Sequence, residues 1–386
     1  MRLLVVSLIF PYPITSGGAR DIYTRLEALH EAGYEIDLIA TVRDPPSESD
    51  LNAIRPMVNS IQIVQRHRRI SDLISAKPFQ CETRGDLRTI PLGREYLASI
   101  IESELVGGIL DNPTLRAKHR ILRIHNDEAH LARSNAASSG NLKERILFWA
   151  ESLKFRLYSP SLIGRCDVLW HISSAEMKRF SATSMNGKGE RHQTRLIRTI
   201  YNPRSFQRRS LEGASVLYVG ALSISTNYDG LIWYLKHVHP RMLGNPGYQF
   251  VLAGMRGSAD IDGLLDIVRI SERVVFRPDA EDLRVLYAGA AAFVNPIQRG
   301  AGVKIKTLDA VVEGMPVVTT SIGAEGTGFE NGRHAVVADS PELFSAGLQR
   351  IIADKTYAQQ LVDNAQALLA RENQPGEMLQ SLKSLN

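Results

Sequence analysis

Cysteine is nearly absent. Cys81 and Cys166 are the only two in 386 residues, and neither sits in a zinc-ligand or dithiol spacing. That excludes a disulfide-stapled scaffold and fits a reducing compartment. Long apolar runs are also missing, since none approaches the about 18 residues that span a bilayer. There is no internal repeat and no low-complexity tract. The dinucleotide fingerprint G-x-G-x-x-G is absent, which weighs against a nicotinamide-dependent oxidoreductase. No basic stripe interleaved with aromatics appears, and no nucleic-acid-binding motif, so nucleic acid is not an expected partner. The first residues, MRLLVVSLIFPYPITSGG, superficially suggest a leader. The apolar run stops at Pro11, however, and no small-residue cleavage pattern follows. It reads as a buried first strand, and a cytoplasmic location is expected.

What remains is ordinary globular composition, with 44% apolar and 23% charged residues, enough to bury a core and too regular for disorder. The length suggests two domains. Charge divides unevenly between them. Residues 1–209 carry 31 Lys and Arg against 22 Asp and Glu, while the rest carries 15 against 19. A basic first half fits an anionic membrane surface at least as well as any other polyanion.

Strand and helix patterns alternate along the chain. Strands are expected at 3–10, 34–42, 121–125, 167–172 and 195–200, and again at 215–219, 248–253, 274–276, 292–295 and 316–320. Helices are expected at 19–32, closed by Gly33, and at 227–238, 260–268, 281–289, 303–313, 341–353 and 356–371, with another near 375–384. Residues 44–50 read as a loop. A long helical stretch at 142–165 is expected to kink or end at Pro160. Lys143, Arg145, Lys154 and Arg156 alternate there with Ile146, Leu147, Phe148, Trp149, Leu153 and Phe155. Such a helix either rests on an anionic membrane or packs on the core with its charges solvated. Two blocks of β-α-β units predict an α/β protein with two doubly wound parallel sheets, whose ligands bind at the carboxyl ends of the strands.

Three loops carry candidate chemistry. Thr15-Ser16-Gly17-Gly18 lies between the first strand and first helix, where Gly17 and Gly18 would let a ligand approach the backbone. On the glycines alone a plain tight turn is the simpler reading, because the G-x-G-x-x-G spacing is missing. The second loop, Asn295 to Lys306, includes Arg299, Gly302, Val303, Lys304, Ile305 and Lys306. Lysines at a helix start oppose the positive end of the helix dipole, and a bound diphosphate would remove that conflict. Asp309 follows on the same face, suited to ribose or sugar hydroxyls. The alternative is a solvated turn with a Lys306–Asp309 ion pair, but broken local rules tend to mark functional sites. The third loop, Arg123 to Glu128, places His125 just past a strand, as a sugar-hydroxyl partner or a structural histidine.

Together these stretches resemble glycosyltransferase family 4, the glycosyl transferases group 1. RGAGVKIKTLDAVVEGMPVVTTSIGAEG resembles its C-terminal signature, LYVGALSISTNYDGLIWYL the opening of its second domain, and IHNDEAH an element of a bacterial polysaccharide-synthesis branch. The resemblance implies a GT-B fold: two Rossmann-like domains facing across a cleft. It implies an N-terminal acceptor-side domain, 1–205, with a helix at about 372–386 returning to it, and a nucleotide-sugar domain, 206–371. It implies a retaining, metal-independent hexosyltransferase that needs no cofactor and moves a sugar from a nucleotide-diphosphate donor to a glycan or lipid-linked acceptor. Lys306 and Arg299, with His125, would be its catalytic groups. Gly17, Gly18, Gly302, Val303, Lys304, Ile305 and Asp309 would bind donor. The chain departs from the family at the first Glu of E-x7-E, which is Ala301, while the second is Asp309. Relatives also carry basic residues where this chain has Ala221 and Asn227. A catalytically weak subunit that stabilises an active partner is therefore the alternative.

Overall fold

The computed structural model describes residues 1–14, 16–138, 141–181, 192–222, 224–255, 261–280, 282–300 and 302–385. Thr15 and Ala301 lie outside them. The chain forms two compact units. One comprises residues 1–200 and 375–386, the other 201–374. The divisions fall at 200/201 and 374/375, a few residues from 205/206 and 371/372. The Tyr201 amide donates to the Asn373 carbonyl, and this bond ties both ends of the second unit together.

The first unit is built on seven parallel strands: β1 (Arg2–Ser7), β2 (Glu35–Val42), β3 (Ser60–Gln65), β4 (Glu95–Ile101), β5 (Arg116–Ile124), β6 (Val168–His171) and β7 (Gln193–Leu196). Their order is β3-β2-β1-β4-β5-β6-β7. Leu3 to Ser7 are all buried, and Val5 lies opposite Leu38 on one side and Ile100 on the other. Such an unbroken apolar run is what a parallel sheet covered on both faces requires. Helix Gly17–Glu31 starts at Ser16, whose hydroxyl accepts from the Ala19 amide, and is followed by Gly33 at a φ of 82°. Helix Gly376–Lys383 packs beside β7, with Met378 and Leu382 fully buried and Ser381 accepting from the Trp170 indole at 3.0 Å.

Two local expectations give way. A helix, Glu48–Ile54, begins inside the expected 44–50 loop, because Ser47 and Asp50 form a reciprocal capping box. Helix Leu142–Ile163 runs through Pro160. Proline disturbs only the preceding turn, and here that turn is the helix's last but one. β3 and β4 were not expected. β3 is a half-buried edge strand, and β4 is recognisable mainly from its place between β1 and β5.

The second unit holds six parallel strands: β8 (Ser215–Val219), β9 (Gln249–Gly254), β10 (Val274–Pro278), β11 (Ala292–Asn295), β12 (Val317–Thr319) and the two-residue β13 (Val336–Val337). Their order is β10-β9-β8-β11-β12-β13. Tyr218, Tyr234, Phe250 and Phe344 pack on one side of this sheet, and Leu217, Phe293, Leu308 and Val311 on the other. In both sheets the strand order reverses at one place, between β1 and β4 and between β8 and β11. Loops diverge there and open a crevice at the carboxyl ends of the strands.

Candidate functional site

At the reversal point of the second unit, β11 ends at Asn295 and the chain enters the glycine loop. Gly300 and Gly302 have φ values of 125° and 78°, a region side-chain-bearing residues avoid. The loop then delivers helix Ile305–Val312, whose N-cap residue, Lys304, makes no side-chain cap bond. Ile305 is buried and anchors it. Lys304 stands at the cap rather than in the first turn, its ammonium donating to the Gly302 carbonyl at 2.6 Å.

Lys306 in the first turn points at the end of β8. Its ammonium donates to the Tyr218 hydroxyl at 2.9 Å and to Asn227 Oδ1 at 2.5 Å, and sits 4.7 Å from the centre of the Tyr218 ring. Both partners are neutral. Among the described residues no carboxylate pairs with Lys306, so the Lys306–Asp309 ion pair considered from sequence does not form. Burial, reinforced by the charge of Lys304, lowers the ammonium from its ordinary 10.5 to about 7. A cation held among dipoles, beside a helix N-terminus without a side-chain cap, is an arrangement that a bound anion would stabilise.

The other expected donor residues are arranged less uniformly. Arg299 is turned to Asp229, to which its Nε donates at 2.7 Å, so part of its charge is already answered. Asp309 Oδ1 accepts from the Tyr201 hydroxyl at 2.8 Å. Val303 is half-buried and joins the loop to the core.

Sequence reasoning missed three contributors. Gly220 follows β8, and a Cβ there would lie 3.0 Å from the Lys306 ammonium and 2.7 Å from the Tyr218 hydroxyl. Gly254 at the end of β9 has a φ of 147°, and a Cβ there would stand 1.7 Å from the Gly220 carbonyl oxygen. Tyr218 supplies the ring and hydroxyl under Lys306. Val219-Gly220 within LYVGALSISTNYDGLIWYL was the available signal for Gly220, whereas Gly254 and Tyr218 join the site only through β8–β9 pairing. Asn227 accepts from Lys306 and donates to the Ala221 carbonyl at 2.7 Å.

The reversal point of the first unit carries a second cluster. Asp21 and Arg25 project from helix Gly17–Glu31, Glu102 follows β4, and Arg123 and His125 come from the end of β5. Arg25 grips Glu102 with Nε at 2.7 Å and Nη2 at 3.0 Å, and also bonds Asp21. Arg123 donates to both Asp21 oxygens at 3.1 Å. All four side chains are essentially inaccessible. Burial opposes ionisation of Asp21, but Arg123 and Arg25 override it and hold the carboxyl well below the usual range; Glu102 is lowered in the same way, chiefly by Arg25.

His125 is the member that reaches the surface, 14% exposed, with Nε2 3.4 Å from Glu102 and Nδ1 3.6 Å from Asp21. Asp21, Glu102 and His125 also form a geometrically possible metal-ligating group. Two guanidiniums already neutralise the two carboxylates, so a divalent cation would have to displace them. The arrangement suits orientation of the imidazole better than metal binding. Gly18 is the second residue of the neighbouring helix and has no steric need to be glycine, since among the described residues a Cβ there would meet Ile9 at an ordinary 3.7 Å. Ser16 caps that helix, so part of the amide supply expected near Gly17 is used internally.

The glycosyl transferases group 1 profile matches residues 213–354. An uncharacterised 44.6 kDa protein in the cps region of Klebsiella pneumoniae is 33% identical over 353 residues, 89% of each chain. The chain belongs to the group 1 glycosyl transferases. Among solved structures, sucrose-phosphate synthase from Thermosynechococcus elongatus aligns over 100% of both chains with a TM-score of 0.70 at 16% identity. HepE from Anabaena, solved in complex with UDP and glucose, aligns over 100% of both chains with a TM-score of 0.68 at 14% identity. TarM from S. aureus has a TM-score of 0.69 at 10% identity, over 100% of this chain and 98% of that one. The fold is therefore GT-B, and this member of the group 1 glycosyl transferases is an enzyme of sugar transfer.

Proposed function

We propose that this glycosyltransferase moves a hexose from a nucleotide-diphosphate sugar to a hydroxyl of a glycan or lipid-linked acceptor, with retention at the anomeric carbon and without a metal. The observation that carries the reading is Lys306: a buried ammonium whose partners among the described residues are neutral, beside a helix N-terminus that its cap residue Lys304 does not cap, at the strand-order reversal. Charge develops on the departing diphosphate, and a fixed cation with helix amides stabilises it. HepE in complex with UDP-glucose supports this donor class. The Klebsiella relative's place in a cps region supports an acceptor used in polysaccharide synthesis. A cytoplasmic location suits a nucleotide-activated donor.

In the proposed step the bond from the anomeric carbon to the leaving phosphate oxygen breaks. The acceptor oxygen bonds that carbon on the same face, and its proton passes to the leaving phosphate. Lys306 answers the growing charge, Lys304 and Arg299 add to the local field, and Asp309, oriented by Tyr201, takes ribose hydroxyls. His125, held by Asp21 and Glu102, meets the sugar. The test is transfer from a panel of labelled UDP-, GDP- and dTDP-hexoses to a membrane-derived acceptor fraction, with EDTA present. The expected product carries the donor's anomeric configuration and is lost in Lys306→Ala. Diphosphate binding without any transfer would favour the weak-subunit alternative, which the Arg299–Asp229 pair makes worth testing.

A further inference from the structure

Helix Leu142–Ile163 has two apolar faces. Phe155, Leu162 and Ile163 are buried on one of them. Leu142, Ile146, Trp149, Leu153 and Leu157 recur at steps of three and four along the other, and all are 47–72% exposed. The short helix Ile70–Ile74 extends this surface. Ile70 and Ile74 are each 85% exposed, and the Lys154 ammonium donates to the Leu73 carbonyl at 2.9 Å, which fixes the two helices together. Sixteen large apolar side chains are exposed among the described residues, and nine belong to these two helices. A contiguous surface of this kind marks an interaction site.

Charge selects the occupant. At about 100° per residue, Lys143 and Lys154 fall along one flank of the stripe, Arg145 and Arg156 along the other, and Glu144 and Glu151 on the far side, with Glu151 reaching Lys154 at 3.0 Å so that Lys143, Arg145 and Arg156 carry the flanking charge. Residues 133–156 carry five Lys and Arg against those two acids, and residues 66–77 carry four against Asp72. Between helix Glu128–Ser138 and the long helix lies an open groove of about 390 Å³, lined by Ala136, Leu142, Ile146 and Trp149 with Arg133 and Arg145. A second copy docked face to face would bring these cations together. An anionic bilayer would neutralise them and accept the stripe among its acyl chains. No described helix is long and apolar enough to cross a membrane.

We infer that this face of the first unit docks on a bilayer rich in anionic phospholipid, with the Leu142–Leu157 stripe and the Ile70–Ile74 helix lying in the interface. The test is cosedimentation of the full chain with phosphatidylcholine vesicles containing 0% or about 40% phosphatidylglycerol, with tryptophan emission read in parallel. Binding is expected only to the anionic vesicles. It should shift emission to the blue in the native chain and not in Trp149→Phe, and it should fall at least tenfold in Leu153→Glu and in Arg145→Glu/Arg156→Glu. These residues are exposed, and an unchanged melting temperature checks that each variant folds. Absence of binding, or equal binding to both vesicle types, would overturn the inference. So would a self-associated protein that Leu153→Glu dissociates and that ignores vesicles, which would assign the face to a second copy. No donor sugar enters the assay, so its outcome is independent of the proposed reaction.

Discussion

If Lys306 must be charged to hold a diphosphate, binding should draw a proton from solution. The free ammonium is lowered to about 7 by burial and by Lys304. A bound diphosphate would favour the charged form and raise that value again. Above pH 7 an increasing share of the free protein has Lys306 neutral, and each further pH unit lowers diphosphate affinity by about tenfold, or about 1.4 kcal/mol. Below pH 7 the lysine is charged before binding and its contribution flattens. Isothermal titration with UDP at pH 8, in two buffers of different ionisation enthalpy, counts the protons taken up. Close to one proton is expected for the native chain at pH 8 and close to none at pH 6, before correction for the ligand's own phosphate titration. Lys306→Met should abolish the uptake and weaken binding at every pH. The same substitution should raise the melting temperature of the free protein below pH 7, because the folded state there holds a charge that burial disfavours. Between pH 7 and 10.5 the unfolded chain binds a proton that the folded chain does not, so the native lysine's penalty diminishes as pH rises. Undiminished proton uptake in Lys306→Met would refute the assignment of the anion site to this residue.

Other substitutions probe the surroundings. Asn227→Asp would give Lys306 an internal counter-ion in place of its 2.5 Å neutral acceptor. It should weaken UDP binding at least about tenfold and abolish proton uptake, as read by the same titration. Asp21→Asn leaves Arg25 and Arg123 with one buried carboxylate between them, and urea unfolding should report a loss of about 3–5 kcal/mol. Gly254→Ala sets a methyl against the Gly220 carbonyl and should cost about 2 kcal/mol or more, together with the UDP-induced thermal shift.

Much of this protein is readable without a structure, for identifiable reasons. Strands β1, β8 and β11 are continuous apolar runs because both faces of a parallel sheet are covered, and that pattern survives in the primary sequence. The glycine loop and its two lysines stand out as a candidate anion site because they break the helix-dipole rule locally. Partner choice is not written locally. Lys306 meets Tyr218 and Asn227 across 88 and 79 residues of chain, while Asp309, three positions away, bonds Tyr201. His125 looked equally suited to a ligand or a structural role until sheet order brought Asp21 from one helix and Glu102 from another strand's end to within 4 Å of its ring. The Leu142–Ile163 helix is apolar on two sides, so periodicity alone leaves its inner face unassigned; packing buries Phe155 and Leu162 and leaves Trp149 outside. Sequence determined the alternation, the fold class and the candidate anion loop, because these depend on neighbours within a turn or a strand. Which lysine meets only neutral partners among the described residues, how His125 is held and which apolar face stays exposed were decided by tertiary contacts between residues far apart in the chain.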